Sequence, residues 1–158
     1  MHERDDSPTR FLPDEAATRE FGACLGVALG TAGLVVYLEG DLGAGKTTLV
    51  RGLLQGLGHR GAVRSPTYTL IEPYVLSNLN LYHFDFYRFA HPDEFLDAGL
   101  EEYFGEQSIC LVEWPGKADP HLPPPDLRVE LAVSGTGRSA RVTAHSKKGE
   151  SCLSAIRH

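Results

Sequence analysis

The sequence has little positive charge to spare. Its 158 residues hold 15 lysines and arginines against 21 aspartates and glutamates, a net charge of −6. The lysines, Lys46, Lys117, Lys147 and Lys148, are scattered, and no basic stripe forms. Strong unaided binding to nucleic acid is therefore not expected. Cysteine is scarce too. Cys24, Cys110 and Cys152 are far apart, with no C-x-x-C pair. An odd count without that spacing argues against a disulfide framework or a zinc–thiolate site. Cys24 and Cys110 lie in apolar runs and are expected to be buried thiols. Reduced thiols fit a cytoplasmic setting. No apolar run approaches the length of a membrane span, and the first ten residues are polar and charged rather than signal-like. The seven histidines show no H-E-x-x-H spacing, and G-x-S-x-G and N-K-x-D are missing. These absences argue against a zinc hydrolase, a serine hydrolase of the elbow type and a GTPase.

What is present is a glycine loop in a telling place. Gly40-Asp41-Leu42-Gly43-Ala44-Gly45-Lys46-Thr47 fits the phosphate-loop pattern G-x-x-x-x-G-K-[ST]. Leu34 to Leu38 before it is apolar and β-branched, as a buried parallel strand should be. Behind it, apolar residues at 49, 50, 53, 54 and 57 have helical spacing, and Gly58 supplies a stop. Glycines let backbone N–H groups approach phosphate oxygens, and the helix aims its positive dipole end at the anion. In such a loop Lys46 reaches the β- and γ-phosphates, and the Thr47 hydroxyl ligates Mg²⁺.

The rest of the chain supplies partners for the loop. Pro13-Asp14-Glu15 reads as a helix start, and the stripe Ala17, Phe21, Cys24, Leu25, Ala28, Leu29 as a helix packed on a sheet. Ser65 to Ile71 carries hydroxyls in a segment that Pro66 is expected to keep extended. Thr67 there is a candidate sensor of Mg²⁺ and the γ-phosphate, the alternative being an ordinary turn hydroxyl. Residues 73–80 read as a turn. Leu81 to Phe89 reads as an aromatic strand running out at Asp85, an acid placed either to organise metal or water or to pair with Arg88. His83, two residues before Asp85, reads as a packed strand histidine, the alternative being a catalyst. Two short helical pieces follow, over 91–97 and 99–104. Ser108 to Glu113 is an apolar strand ending in a carboxylate. Trp114 either packs in the core or lines the nucleotide pocket. A proline-rich loop spans 117–126. Leu127 to Val133 and Ala140 to Ala144 flank the turn at 134–137 as an antiparallel hairpin. The expectation is one α/β phosphate-loop NTPase domain over 1–158: a mainly parallel sheet flanked by helices, with an antiparallel C-terminal hairpin. Residues 1–10 and 146–158 are expected to be loose termini, with at most a short helix over 151–158.

Gly40 to Thr48, Ser65-Pro66-Thr67-Tyr68, His83-Phe84-Asp85-Phe86-Tyr87-Arg88 and Glu113-Trp114-Pro115 occur in this order. With them the chain resembles the TsaE (YjeE) family from about Leu12 to Ala144. Those proteins are bacterial ATPases of tRNA threonylcarbamoyladenosine synthesis. The resemblance implies that Asp41, Leu42, Gly43, Ala44, Gly45, Lys46 and Thr47 wrap the phosphates of ATP, with Thr48 counted among them. It implies that Thr47 and Glu113 share Mg²⁺, that Lys46 and Asp85 support hydrolysis, and that Thr67 belongs to a switch-like segment. Thr18 and Trp114 match residues near the nucleotide, and Arg138 or Arg141 of the hairpin is placed near it too. The implied partners are TsaB- and TsaD-like proteins, with tRNA contacted only indirectly and no membrane involved. Phe86 departs from the leucine of many members, a change of packing alone. Two other functions remain open to the same loop: a small-molecule kinase, and a nucleotide-sensing module with negligible turnover.

Overall fold

The computed structural model describes residues 9–30, 33–41, 43–77 and 79–156. The chain runs β1 (Thr9–Leu12), α1 (Glu15–Leu29), β2 (Leu34–Glu39), α2 (Lys46–Gly56), β3 (Ile71–Val75), β4 (Asn80–Asp85), α3 (Glu94–Asp97), β5 (Ser108–Glu113), β6 (Leu127–Ser134), β7 (Gly137–Ala144) and α4 (Lys147–Ile156). Short 3-10 turns cover Leu100–Tyr103 and Pro115–Ala118. The seven strands form one sheet in the order β1-β7-β6-β2-β5-β4-β3. The middle pairs, β6–β2, β2–β5 and β5–β4, are parallel. The outer pairs, β1–β7, β7–β6 and β4–β3, are antiparallel. This is the α/β phosphate-loop architecture expected, with the C-terminal hairpin joined to the parallel centre through β6.

Strand alternation divides the core between two faces. Leu34, Val36 and Leu38 of β2 and Ile109 and Leu111 of β5 meet Leu25, Leu29, Leu49 and Leu53 of α1 and α2. The residues between them, Tyr37, Cys110 and Val112, join Phe84, Phe86, Phe89 and Phe95 in an aromatic cluster on the other face. Both faces of the central strands are covered, which is why they read as continuous apolar runs. Continuing the alternation puts Glu113 on the α1–α2 face. In β4, Leu81 belongs to that face, so His83 and Asp85 share it.

Helices α1 and α2 meet along glycines. Gly22 and Gly26 of α1 lie against the backbone of Leu49 and Leu53 of α2, and Gly52 and Gly56 of α2 against that of Arg19 and Ala23. A Cβ on Gly22 would lie 3.0 Å from the Leu53 nitrogen, and one on Gly56 would lie 2.9 Å from the Ala23 Cα. Asp14 caps α1, its carboxylate accepting from the Ala17 N–H at 2.8 Å.

Four expectations are corrected. The segment after Pro66 does not stay extended: residues 66–69 turn, and the Leu70 N–H donates to the Pro66 carbonyl at 2.8 Å. Proline restricts the residue before it, not those after. The turn expected over 73–80 begins later, because β3 runs through Pro73 to Val75 as an edge strand, where a missing N–H is tolerated. The C-terminal segment is not loose over 147–156. It forms α4, burying Cys152, Leu153 and Ile156. Cys24 is exposed while Cys110 and Cys152 are buried. The buried face of α1 is Thr18, Phe21, Gly22, Leu25, Gly26 and Leu29, and position 24 falls off it.

Candidate phosphate-binding site

A cleft of about 450 Å³ opens at the carboxyl ends of the parallel strands, where open α/β sheets bind ligands. The loop after β2 forms its floor. Gly43 and Gly45 take φ of 81° and 101°, the left-handed region that a side chain disfavours. The backbone then enters α2 at Lys46, so the helix N-terminus faces the cleft.

The structure brings most of the sequence candidates together. Thr18, Gly43, Gly45, Lys46, Thr47 and Thr48 line the cleft, and so do Thr67, Asp85, Glu113 and Trp114. Two candidates lie elsewhere. Asp41 borders a second hollow of about 350 Å³, which shares Lys46 and Trp114 with the first. Ala44 is buried in the core. Leu42 lies outside the described residues. Of the two hairpin arginines, Arg138 is the one on the cleft wall, its Nη2 donating to the Gly43 carbonyl at 3.1 Å.

Lys46 is the hub. Its ammonium donates to the Gly40 carbonyl at 2.6 Å and lies 3.5 Å from Oε1 of Glu113. It also sits 4.6 Å from the centroid of the Trp114 ring, a cation–π contact. Trp114 reaches that place because its own φ is 56°, turning the chain sharply at the end of β5. Asp85 ends β4 directly beside Glu113 in the parallel register. Its carboxylate accepts from the Tyr87 N–H at 2.9 Å and from the Thr67 hydroxyl at 3.3 Å. The alternative partner, Arg88, instead lies over the Tyr68 ring at 4.4 Å. The Thr67 hydroxyl thus meets an acid of the site, linking the turn after α2 to the cleft.

The two acids differ in electrostatics. Burial pushes the Asp85 carboxyl above its ordinary range, and the nearby charge of Glu113 adds to this. Burial acts on Glu113 in the same sense. There the hydrogen bond and charge of His83 and the Lys46 ammonium outweigh it and hold the carboxyl below the ordinary range. Glu113 therefore gives up its proton more readily than Asp85. Two carboxylates beside an anion cradle would repel a polyphosphate unless a cation stood between them.

His83 adjoins the site through a contact with Glu113 that the sequence did not reveal. It is 3% exposed, with Nε2 2.6 Å from Oε2 of Glu113. Its position two residues before Asp85, on the same strand face, was the available signal. Asp14, Glu15 and Thr136 also line the cleft without any nucleotide-binding motif to mark them, and Ser65, the first residue of the Ser65-Pro66-Thr67-Tyr68 motif, lines it too.

A family model described as "Threonylcarbamoyl adenosine biosynthesis protein TsaE" matches residues 12–142. The chain belongs to the TsaE family. The matched stretch runs from β1 through most of the C-terminal hairpin, so all the cleft residues named above fall within it. A TsaE relative from Haemophilus influenzae, a tRNA threonylcarbamoyladenosine biosynthesis protein, is 44% identical over 155 residues, spanning 96% of this chain and 98% of its own. The Bacillus subtilis TsaE is 46% identical over 113 residues, spanning 72% of this chain and 70% of its own. The crystal structure of Bacillus subtilis YdiB superposes with a TM-score of 0.81 at 32% identity, covering 99% of this chain and 97% of that one. TsaE proteins belong to tRNA threonylcarbamoyladenosine biosynthesis. Among the described residues, no helix is long and apolar enough to cross a membrane.

Proposed function

We propose that the protein is a Mg²⁺-dependent ATPase of tRNA threonylcarbamoyladenosine biosynthesis, acting in the cytoplasm with TsaB- and TsaD-like partners. One observation carries the reading: Lys46, Asp85 and Glu113 converge on a single cleft at the N-terminus of α2. The loop amides and Lys46 bind the β- and γ-phosphates, with Thr18, Trp114 and Arg138 around the nucleotide. Asp85, raised in proton affinity and bonded to Thr67, accepts a proton from the attacking water or orients it.

The donors present fit Mg²⁺. Among the described residues, no cluster of three or more histidine, cysteine, aspartate or glutamate side chains forms a self-sufficient metal cage. Mg²⁺ on a nucleotide does not need one, since phosphates and waters supply most of its ligands. Thr47 and Glu113 would hold it, and Glu113 offers Oε1 on the Lys46 side of the cleft. The metal, when bound, neutralises charge on the phosphates.

The kinase alternative is disfavoured by the want of an arginine-bearing lid. Over 88–108, where a lid would carry arginines, Arg88 is the one arginine, and it lies over the Tyr68 ring rather than in the cleft lining. A sensing module with negligible turnover would use the same contacts and differs only in phosphate release. The test measures ATP binding and phosphate release with and without the two partner proteins. Lys46→Ala should lower release by roughly 100-fold or more. Full release by that variant with partners present would sink the mechanism, and tight binding without any release would favour the sensor.

A further inference from the structure

His83 is not part of the cleft lining, yet it lies in the interior of β4 against the site. The register sets it opposite Leu111, two residues before Glu113 on the same face. Its two ring nitrogens have different surroundings. Nε2 is 2.6 Å from Oε2 of Glu113, whereas Nδ1 is buried with no hydrogen-bond partner among the described residues. An ionised carboxylate can only accept, so the Nε2 position must carry the donated proton. The contact divides the carboxylate. Oε2 is held inside the sheet face, and Oε1 is left toward Lys46 at 3.5 Å.

We propose that His83 is a positioning residue that pins one oxygen of Glu113, so that the carboxylate meets the nucleotide's divalent cation through Oε1 alone and the site favours Mg²⁺ over Ca²⁺. The chemistry follows from what each ion accepts. Mg²⁺ takes six ligands in a near-regular octahedron, whereas Ca²⁺ takes more and readily chelates both oxygens of one carboxylate. An oxygen already engaged by an imidazole N–H is not free for chelation. The same hydrogen bond holds the carboxylate in place before the metal arrives, as outer-shell partners of metal ligands do. Lys46 does not oppose this, because a nucleotide phosphate would draw its ammonium away from Oε1. The inference rests on the Mg²⁺–nucleotide reading above.

Trp114 is the only tryptophan in the chain and stands in the cleft wall, so its fluorescence reports on the site directly. The experiment titrates Mg²⁺, then Ca²⁺, into the protein–ATP complex for wild type, His83→Leu and His83→Gln. His83→Leu should bind Mg²⁺ roughly 10- to 100-fold more weakly, with a smaller change for Ca²⁺, so that the preference narrows. His83→Gln, which keeps an N–H donor, should recover most of the loss. Nucleotide binding in excess chelator should change little in either variant. A wild-type complex indifferent to Mg²⁺ would sink the metal-dependent reading itself. A wild type that responds while His83→Leu keeps both affinity and preference would overturn the positioning role alone. Equal loss in His83→Leu and His83→Gln would overturn it too, as a matter of packing rather than donation. Should His83→Leu fail to fold, ¹⁵N spectra of the wild-type imidazole decide. A proton on Nε2 supports the proposal, and an Nδ1–H with bare Nε2 refutes it.

Discussion

Replacing Gly52 by alanine tests whether the close approach of α1 and α2 is a constraint or an accident. A methyl group there would overlap the Arg19 carbonyl oxygen and lie 2.8 Å from its carbon. Ordinary contact begins near 3.4 Å, so α1 would have to withdraw by roughly 0.6 Å even to clear the carbon. The obstructing atoms are backbone and cannot rotate aside. Overpacking of this kind costs about 1–3 kcal/mol, towards the upper end where nothing flexible yields. Alanine also favours the helix by about 0.8–1.0 kcal/mol over glycine. The net expectation is a destabilisation of about 1–2 kcal/mol. For a chain of this size that lowers the melting temperature by roughly 2–8 °C. Thermal melting followed by circular dichroism measures it. Gly105→Ala is the control, since a methyl there meets nothing within 4 Å. The effect should also reach the cleft, because α1 carries Thr18 and α2 begins at Lys46. A Gly52→Ala protein that melts at or above the wild-type temperature would refute the reasoning.

Other outcomes follow from the site and the thiols. Asp85→Asn should slow phosphate release by roughly 100-fold or more while Mg²⁺–ATP binding, read from Trp114, shifts only a few-fold. Loss of binding with release intact would contradict its role. The Glu113 carboxyl is held low in the folded protein, so its contribution to stability is present above its unfolded value near 4.5 and is lost as pH falls through the lower folded value. In metal-free buffer the stability gap between wild type and Glu113→Gln should therefore shrink as the solution is acidified below about pH 4.5, and a gap that widens would reverse the sign. Thiol alkylation near neutral pH, mapped by mass spectrometry, should mark exposed Cys24 first. Burial pushes the Cys110 thiol up to about 12 and raises that of Cys152, so both should react only on unfolding.

The parts legible in the sequence were those where a local pattern and a global requirement coincide. Gly40 to Thr47 must turn tightly, expose amides and start a helix, and each demand leaves a residue type behind. Leu34 to Glu39 and Ser108 to Glu113 are covered on both faces, so they appear as apolar runs whose ends are visible as acids. Asp85 and Glu113 were therefore found, but not the hydrogen bond that separates their behaviour. His83 looks like any strand histidine until the β4–β5 register places it beside Glu113. The Ser65 to Ile71 segment misled because its turn is stabilised by contacts beyond it, including the Asp85 N–H donating to the Leu70 carbonyl at 3.1 Å. Helix α4 left a fair signal in Cys152, Leu153 and Ile156, but so short a stripe gains meaning only once α1 and β7 are there to cover it. The glycines of the α1–α2 seam pass for helix-weakening residues until two helices are seen to share them.

The two-faced character of β5 restricts how this protein can change its length. Its odd positions from Ile109 face the helices and end in Glu113, and its even positions face the phenylalanines. Losing or gaining one residue before position 113 would not merely shorten the reach of the acid. It would exchange the faces, sending the carboxylate into the aromatic cluster and Val112 or Trp114 toward the phosphates. Substitutions can be taken one at a time along this strand, but length changes are tolerable only in twos. A deletion scan through Ser108 to Val112 should therefore give an alternating record, with function surviving, if anywhere, only where an even number of residues has been removed.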